Sequence, residues 1–306
     1  LKKKNIIILM LFFLFISPLA SAQEGEGGIQ FQFGKLNGET DYTIHGEADG
    51  GWKSELIFPL DTKFITTKYI HSLKTTTLGI KNINLSVMKN LDQENNGIMK
   101  DSDWIYSQSE NKIIYSESTA DLDLWSGNLE LLSPSKDYNQ NMSYHLKLGY
   151  KYNNYDYNVH DVVQYNYFNN TKSERSGKVL AYEVQYHIPY LGVKVKNSTQ
   201  QKLNWQIDLN LAPYVEAEDV DDHILRYKES TGETDGSAII INSVLNYNIN
   251  SNLIFSLSGT YNKIDTEGYQ EQYWYDGDYK GEKIKNIDHT IDLESYKIAT
   301  SIKYLF

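Results

Sequence analysis

The chain has 306 residues, 29 basic and 40 acidic, with a formal net charge of −11 and no cysteine. The missing cysteine excludes disulfides and thiolate chemistry, and the acidic balance argues against a nucleic-acid partner, which needs a basic footprint. The length suits one large domain, and 25 tyrosines are an unusual excess.

The first 22 residues read as a secretory signal peptide. Lys2, Lys3 and Lys4 precede an apolar run from Ile6 to Ile16, and Ser17-Pro18-Leu19-Ala20-Ser21-Ala22 supplies a small-residue cleavage site. The apolar run is too short to span a membrane comfortably as a helix. Cleavage after Ala22 removes three lysines and leaves residues 23–306 with 26 basic and 40 acidic residues, net −14. Such a surface suits cationic partners.

Alternation recurs in the rest of the chain. Met142, Tyr144, Leu146, Leu148, Tyr150 and Tyr152 alternate with polar residues, as do Leu203, Trp205, Ile207, Leu209 and Leu211. Leu253, Phe255, Leu257 and Tyr261 repeat the pattern. Period two means strands with one apolar and one polar face. The last strand places Tyr296, Ile298, Ile302, Tyr304 and Phe306 on one face, and the sequence ends on that phenylalanine. This ending resembles the C-terminal signature of bacterial outer-membrane barrels, with apolar faces toward lipid and tyrosines in interfacial girdles.

The expected fold is therefore all-β, a transmembrane antiparallel up-and-down barrel. Ten strands are predicted near 29–45, 52–72, 74–90, 112–131, 141–165, 176–196, 202–219, 234–250, 251–270 and 286–306. Connections near 73, 132–140, 197–201 and 250 are mostly short, and those near 91–111, 166–175, 220–233 and 271–285 are long. Short turns face the periplasm and long loops face outside. Strands longer than about 9–11 residues predict a barrel standing proud of the outer surface. Lys147, His145, Asp208, Glu183, Gln185 and His187 are expected to point inward.

Two polar stretches stand out. Asp101 and Asp103 lie beside Trp104 in the long connection after strand three, and Asp221, Asp222 and His223 follow strand seven. Strand parity puts both at one rim, facing each other across the mouth. A carboxylate pair opposite a His with its own carboxylate can hold and deprotonate a water.

Four segments resemble, in order, those of the omptin family of outer-membrane proteases: Gly34-Lys35-Leu36-Asn37-Gly38, Met99-Lys100-Asp101-Ser102-Asp103-Trp104, Ile188-Pro189-Tyr190-Leu191-Gly192, and Val215-Glu216 through Asp219-Val220-Asp221-Asp222-His223. The resemblance implies an endopeptidase of the bacterial outer membrane, active face extracellular, with Asp101, Asp103, Asp221 and His223 as the catalytic set and no cofactor. It implies polypeptide substrates cut beside basic residues. Asp219 occupies one of the family's two acidic substrate-pocket positions, and Tyr42 stands at the other. Family contacts to lipopolysaccharide fall on Tyr152, Asn154 and Gln185, which replace an acid and two arginines. Strict alternation along 203–215 would turn Asp221 and His223 outward, so a bulge is expected near 216–220. Two other readings stay open: a non-enzymatic barrel of the same fold (porin, adhesin or surface antigen), and acidic loops that bind Ca²⁺.

Overall fold

A computed structural model describes residues 27–47, 50–197 and 202–306; the expected signal peptide, 1–22, lies outside the described residues. Thirteen strands form one antiparallel sheet: β1 (Gly27–Gly46), β2 (Trp52–Pro59), β3 (Thr62–Thr77), β4 (Ile80–Asn90), β5 (Ile98–Ile105), β6 (Ile114–Leu132), β7 (Lys136–Asn139), β8 (Met142–Asn166), β9 (Thr171–Asn197), β10 (Leu203–His223), β11 (Lys228–Asn248), β12 (Leu253–Trp274) and β13 (Lys283–Leu305). β2 and β3 are two halves of one barrel strand, both paired with β1. β4 and β5 are likewise halves of the third, both paired with β6. β7 is a side ribbon on β8. The ring thus has ten staves, and β13 closes it against β1 from Gly28↔Leu305 to His45↔Asp288.

The break in the third stave is held by two buried asparagines. Asn90 donates to the carbonyls of Asp92 and Leu122 and accepts from the Leu124 amide. Asn96 donates to Asp61 and Asp92 and accepts from the Leu122 amide. Side-chain amides replace the ladder bonds that the interruption removes, so the buried backbone of β6 stays satisfied. The chain re-enters the ring at Gly97, whose φ of +134° and close approach to Pro59 leave no room for a side chain.

An apolar belt wraps the half of the barrel that carries the short turns. Phe31, Phe33, Leu146, Leu148, Leu191, Leu209, Leu211, Leu257 and Ile298 project outward, each more than two-fifths exposed. Inside the same half the lining is polar and charged, with His145, Lys147, Lys194 and Asp208 buried. Beyond the belt the chemistry inverts. Leu36, Phe58, Phe64, Leu122, Leu124, Tyr157, Tyr182, Tyr186 and Ile188 fill the lumen as a core. Phe58 stacks on Tyr182 with ring centroids 4.3 Å apart, and Tyr157 packs beside it at 5.0 Å.

Several sequence expectations are corrected here. Glu183, Gln185 and His187 lie on the outer wall, because the alternate positions Tyr182, Val184, Tyr186 and Ile188 are taken into the core. The first short turn is at Leu78-Gly79 rather than near 73. The long connections shrink to hairpins, since β5, β9, β10, β11, β12 and β13 all continue beyond their predicted ends. Asp101, Asp103, Asp221 and His223 are consequently on strands, not in loops.

Candidate active site

β5 runs between β2 and β6, with Asp101 opposite Leu56 and Ser116, and Asp103 opposite Ser54 and Ile114. Met99, Asp101 and Asp103 share the inward parity, since Met99 and Leu56 belong to the core. β10 reaches the same end of the ring by a different route. Its outward row Leu203 to Leu211 would carry odd-numbered residues to the outside throughout. A one-residue bulge between Ala212 and Val215 leaves Pro213 and Tyr214 both facing out and turns Val215, Ala217, Asp219 and Asp221 inward. The bulge lies just below the predicted 216–220.

The two walls meet at this end. Arg226, in the short 3-10 turn Ile224–Arg226 after β10, comes within 3.9 Å of Asp103 Oδ2. His223 Nδ1 lies 2.9 Å from Asp221 Oδ2, with the N–H not aligned for a full hydrogen bond. Asp101 Oδ1 and Asp221 Oδ1 are buried without a protein partner, as is Ser230 Oγ opposite Asp221. Such orphan polar atoms gathered at one end of the ring mark a place for water or a ligand.

All of these groups lie beyond the apolar belt. Burial, reinforced by Asp103 and Asp221 and opposed by Arg226 and Lys228, pushes the Asp101 carboxyl up to about 7. Burial lowers His223 against the opposing pull of Asp221, so the ring is held neutral and basic at neutral pH. Lys228, opposite His223, is also lowered by burial while Asp221, Asp103 and Asp101 counteract it. A neutral imidazole, the raised Asp101 carboxyl and a buried amine can exchange protons with a bound water. Among the described residues no three His, Asp or Glu converge in a metal-binding arrangement.

Asp219 and Tyr42 sit one layer deeper. Tyr42 is 1 % exposed, receives a hydrogen bond from Gln270 Nε2, and packs against Tyr182 at 5.6 Å and His289 at 4.6 Å. Burial, with Asp221 and Asp219 nearby, pushes its phenol up, so Tyr42 is neutral. His289 donates from Nδ1 to the Thr43 carbonyl at 3.0 Å and places Nε2 3.2 Å from Asp219 Oδ1. Burial raises Asp219 while His289 pulls it down. The contact needs Gly232: a Cβ there would lie 2.2 Å from Asp219 Oδ1 and 2.7 Å from the imidazole. Tyr152, Asn154 and Gln185 form an outer-wall network, with Tyr152 donating to Gln185 at 2.7 Å and Asn154 donating to Glu183 at 2.6 Å.

Sequence reasoning missed Arg226, Lys228, Ser230, Gln270 and His289. Arg226, Lys228 and Ser230 follow the Asp-x-His pair through a tight hairpin, and pairing β11 with β10 would have found them. His289 carries no local signal, because 70 residues separate it from Asp219.

The fold resembles the crystal structure of the outer membrane protease OmpT from Escherichia coli. The TM-score is 0.79 at 16 % identity, covering 94 % of this chain and 99 % of that one. The outer membrane protein OprG from Pseudomonas aeruginosa aligns at TM-score 0.37 and 10 % identity, covering 92 % and 98 %. The translocator domain of the autotransporter NalP from Neisseria meningitidis aligns at 0.38 and 6 %, covering 100 % and 98 %. No curated protein matches the sequence. A model of the Omptin family matches residues 26–306, all of the described barrel, and the chain belongs to the Omptin family.

Proposed function

We propose that this chain is an outer-membrane endopeptidase that hydrolyses polypeptides with an activated water, its groove facing the cell exterior. The observation that carries the reading is the convergence of the His223–Asp221 couple with the Asp101–Asp103 pair, where Arg226 from the turn after His223 reaches Asp103. In the proposed reaction His223 Nε2, which has no hydrogen bond to a described residue, takes a proton from water as the oxygen adds to the scissile carbonyl. Asp221 orients the ring and balances its charge. Asp101 and Asp103 hold the water from the opposite wall, sharing a proton when both would otherwise be charged. His223 then returns its proton to the departing amine as the C–N bond breaks. The core that fills the upper lumen, Phe58, Tyr157 and Tyr182 above all, gives these groups a rigid floor. It also counts against an open porin.

The proposed substrates carry a basic side chain beside the cut. Asp219 supplies the carboxylate of that subsite, and Tyr42, packed against Tyr182 and His289, forms the aromatic wall behind it. The net −14 expected of the mature chain favours cationic peptides. Tyr152, Asn154 and Gln185 face the proposed lipid headgroup zone with no arginine among them, so binding of outer-membrane lipid phosphates would need other contacts.

The test is turnover of a fluorogenic peptide with paired basic residues by refolded protein. His223→Ala should lower kcat by about 10²–10⁴ while heat-modifiable gel mobility shows an intact barrel. Normal turnover in the folded variant would remove His223 from the reaction.

A further inference from the structure

A cavity of about 370 Å³ occupies the lumen within the belt half, below the aromatic core. Its walls hold two carboxylates and seven lysines, drawn from a chain in which acids outnumber bases 40 to 29. Composition does not account for that partition.

Three lysines use both carboxylates. Lys147 contacts Glu130 and lies 3.7 Å from Asp208. Lys194 lies 3.6 Å from Glu130 and 3.9 Å from Asp208, and Lys68 lies 3.8 Å from Glu130. Asn84 also donates to Glu130 at 2.7 Å, and Gln206 and Asn242 donate to Asp208 at 2.9 and 3.0 Å. The negative charge is thus already committed. Lys151, Lys196, Lys297 and Lys303 line the same space, and no described carboxylate lies within ion-pair distance of them. Lys151 on β8 and Lys297 on β13 come from opposite sides of the ten-stave ring and line the same cavity.

Facing ammonium groups in a confined space repel unless an anion stands between them. We propose that this lumen is a binding site for a small multivalent oxyanion of the phosphate class, held between Lys151 and Lys297 and entering from the short-turn end. Phosphate oxygens accept from several lysines at once, and lysine is a good point-charge partner for them. The cavity has room for a phosphate or pyrophosphate together with several waters, at about 30 Å³ per water. The strand wall surrounds the site on every side, which excludes a lipid headgroup. The site is separate from the proposed catalytic groove and does not depend on peptide hydrolysis.

The probe is inorganic pyrophosphate, titrated calorimetrically into the full folded chain in phosphate-free detergent at fixed ionic strength. One saturable site is expected, with affinity falling at least tenfold in Lys151→Met/Lys297→Met and unchanged in Lys263→Met on the outer wall. The wild-type unfolding temperature should rise with pyrophosphate, and the double variant should lose that rise. If the double variant fails to fold, single Lys151→Gln and Lys297→Gln variants carry the same comparison. Absence of saturable binding, or equal binding by wild type and lumen variants, overturns the proposal.

Discussion

The two halves of this barrel follow one backbone rule and opposite chemistries. Along β1 even-numbered residues face in and odd-numbered residues face out over the whole strand. In the belt half the inward residues are Gln30, Gln32 and Gly34, while Phe31 and Phe33 are each 52 % exposed. A few residues on, Leu36, Tyr42 and Ile44 are buried, and Lys35, Glu39 and Asp41 face outward. β6, β8, β9 and β13 make the same switch. Apolar side chains go wherever water is absent: toward lipid in the belt, toward the lumen beyond it. The difference teaches where each kind of site can be built. The upper half has a packed interior that fixes the carboxylates and His223 on rigid strands. The belt half has a polar interior around a cavity, where four lysines have no described carboxylate within ion-pair distance.

Moving a charge from one half to the other breaks or sustains this contrast most directly. Ile298→Arg puts a cation on the lipid-facing belt and should cost about 2–4 kcal/mol, read from the urea midpoint of folding into liposomes. Glu267→Arg, on the outer wall beyond the belt and opposite Asp235, should be neutral or stabilising by a few tenths of a kcal/mol, since it relieves a like-charge pair. Equal costs at the two positions would erase the proposed boundary.

A comparable effect, tied to pH, comes from Asp101, whose carboxyl is held at about 7 by burial and its acidic neighbours. A raised acid binds its proton more tightly in the folded state. The stability it contributes is complete below the unfolded value near 3.9 and is lost as pH rises through about 7. Asp101→Asn does not titrate. The variant should therefore match wild type near pH 4 and exceed it at pH 8 by up to about 4 kcal/mol, measured by chemical unfolding across that range. A constant difference would mean Asp101 ionises normally.

The smallest expected effect concerns specificity. Tyr42 is neutral, and the Asp219 carboxylate shares its charge with His289. Arginine should accordingly be cleaved in preference to lysine, with only a modest margin, because a planar guanidinium can make two hydrogen bonds to the single carboxylate where ammonium acts as a point charge. Tyr42→Glu should raise kcat/KM after lysine a few-fold more than after arginine. An unchanged ratio on matched peptides would place Tyr42 outside the subsite.

Much of this molecule is legible along the chain. Period-two alternation counted the staves, and parity brought Asp101, Asp103, Asp221 and His223 to one end, because side-chain direction in a strand is a local property. The motifs placed the chain beside the Omptin family for the same reason: each lies within a few consecutive residues. Local pattern failed where the environment changed. Alternation reads which residues share a face, but not whether that face meets lipid, water or a core, so Glu183, Gln185 and His187 were turned the wrong way. The tertiary structure alone decided the exact position of the β10 bulge, the completion of the third stave by Asn90 and Asn96, the pairing of His289 with Asp219, and the gathering of Lys151 and Lys297 around one cavity. Each depends on closing the ring, which sets residues from distant strands side by side at distances that no local pattern encodes.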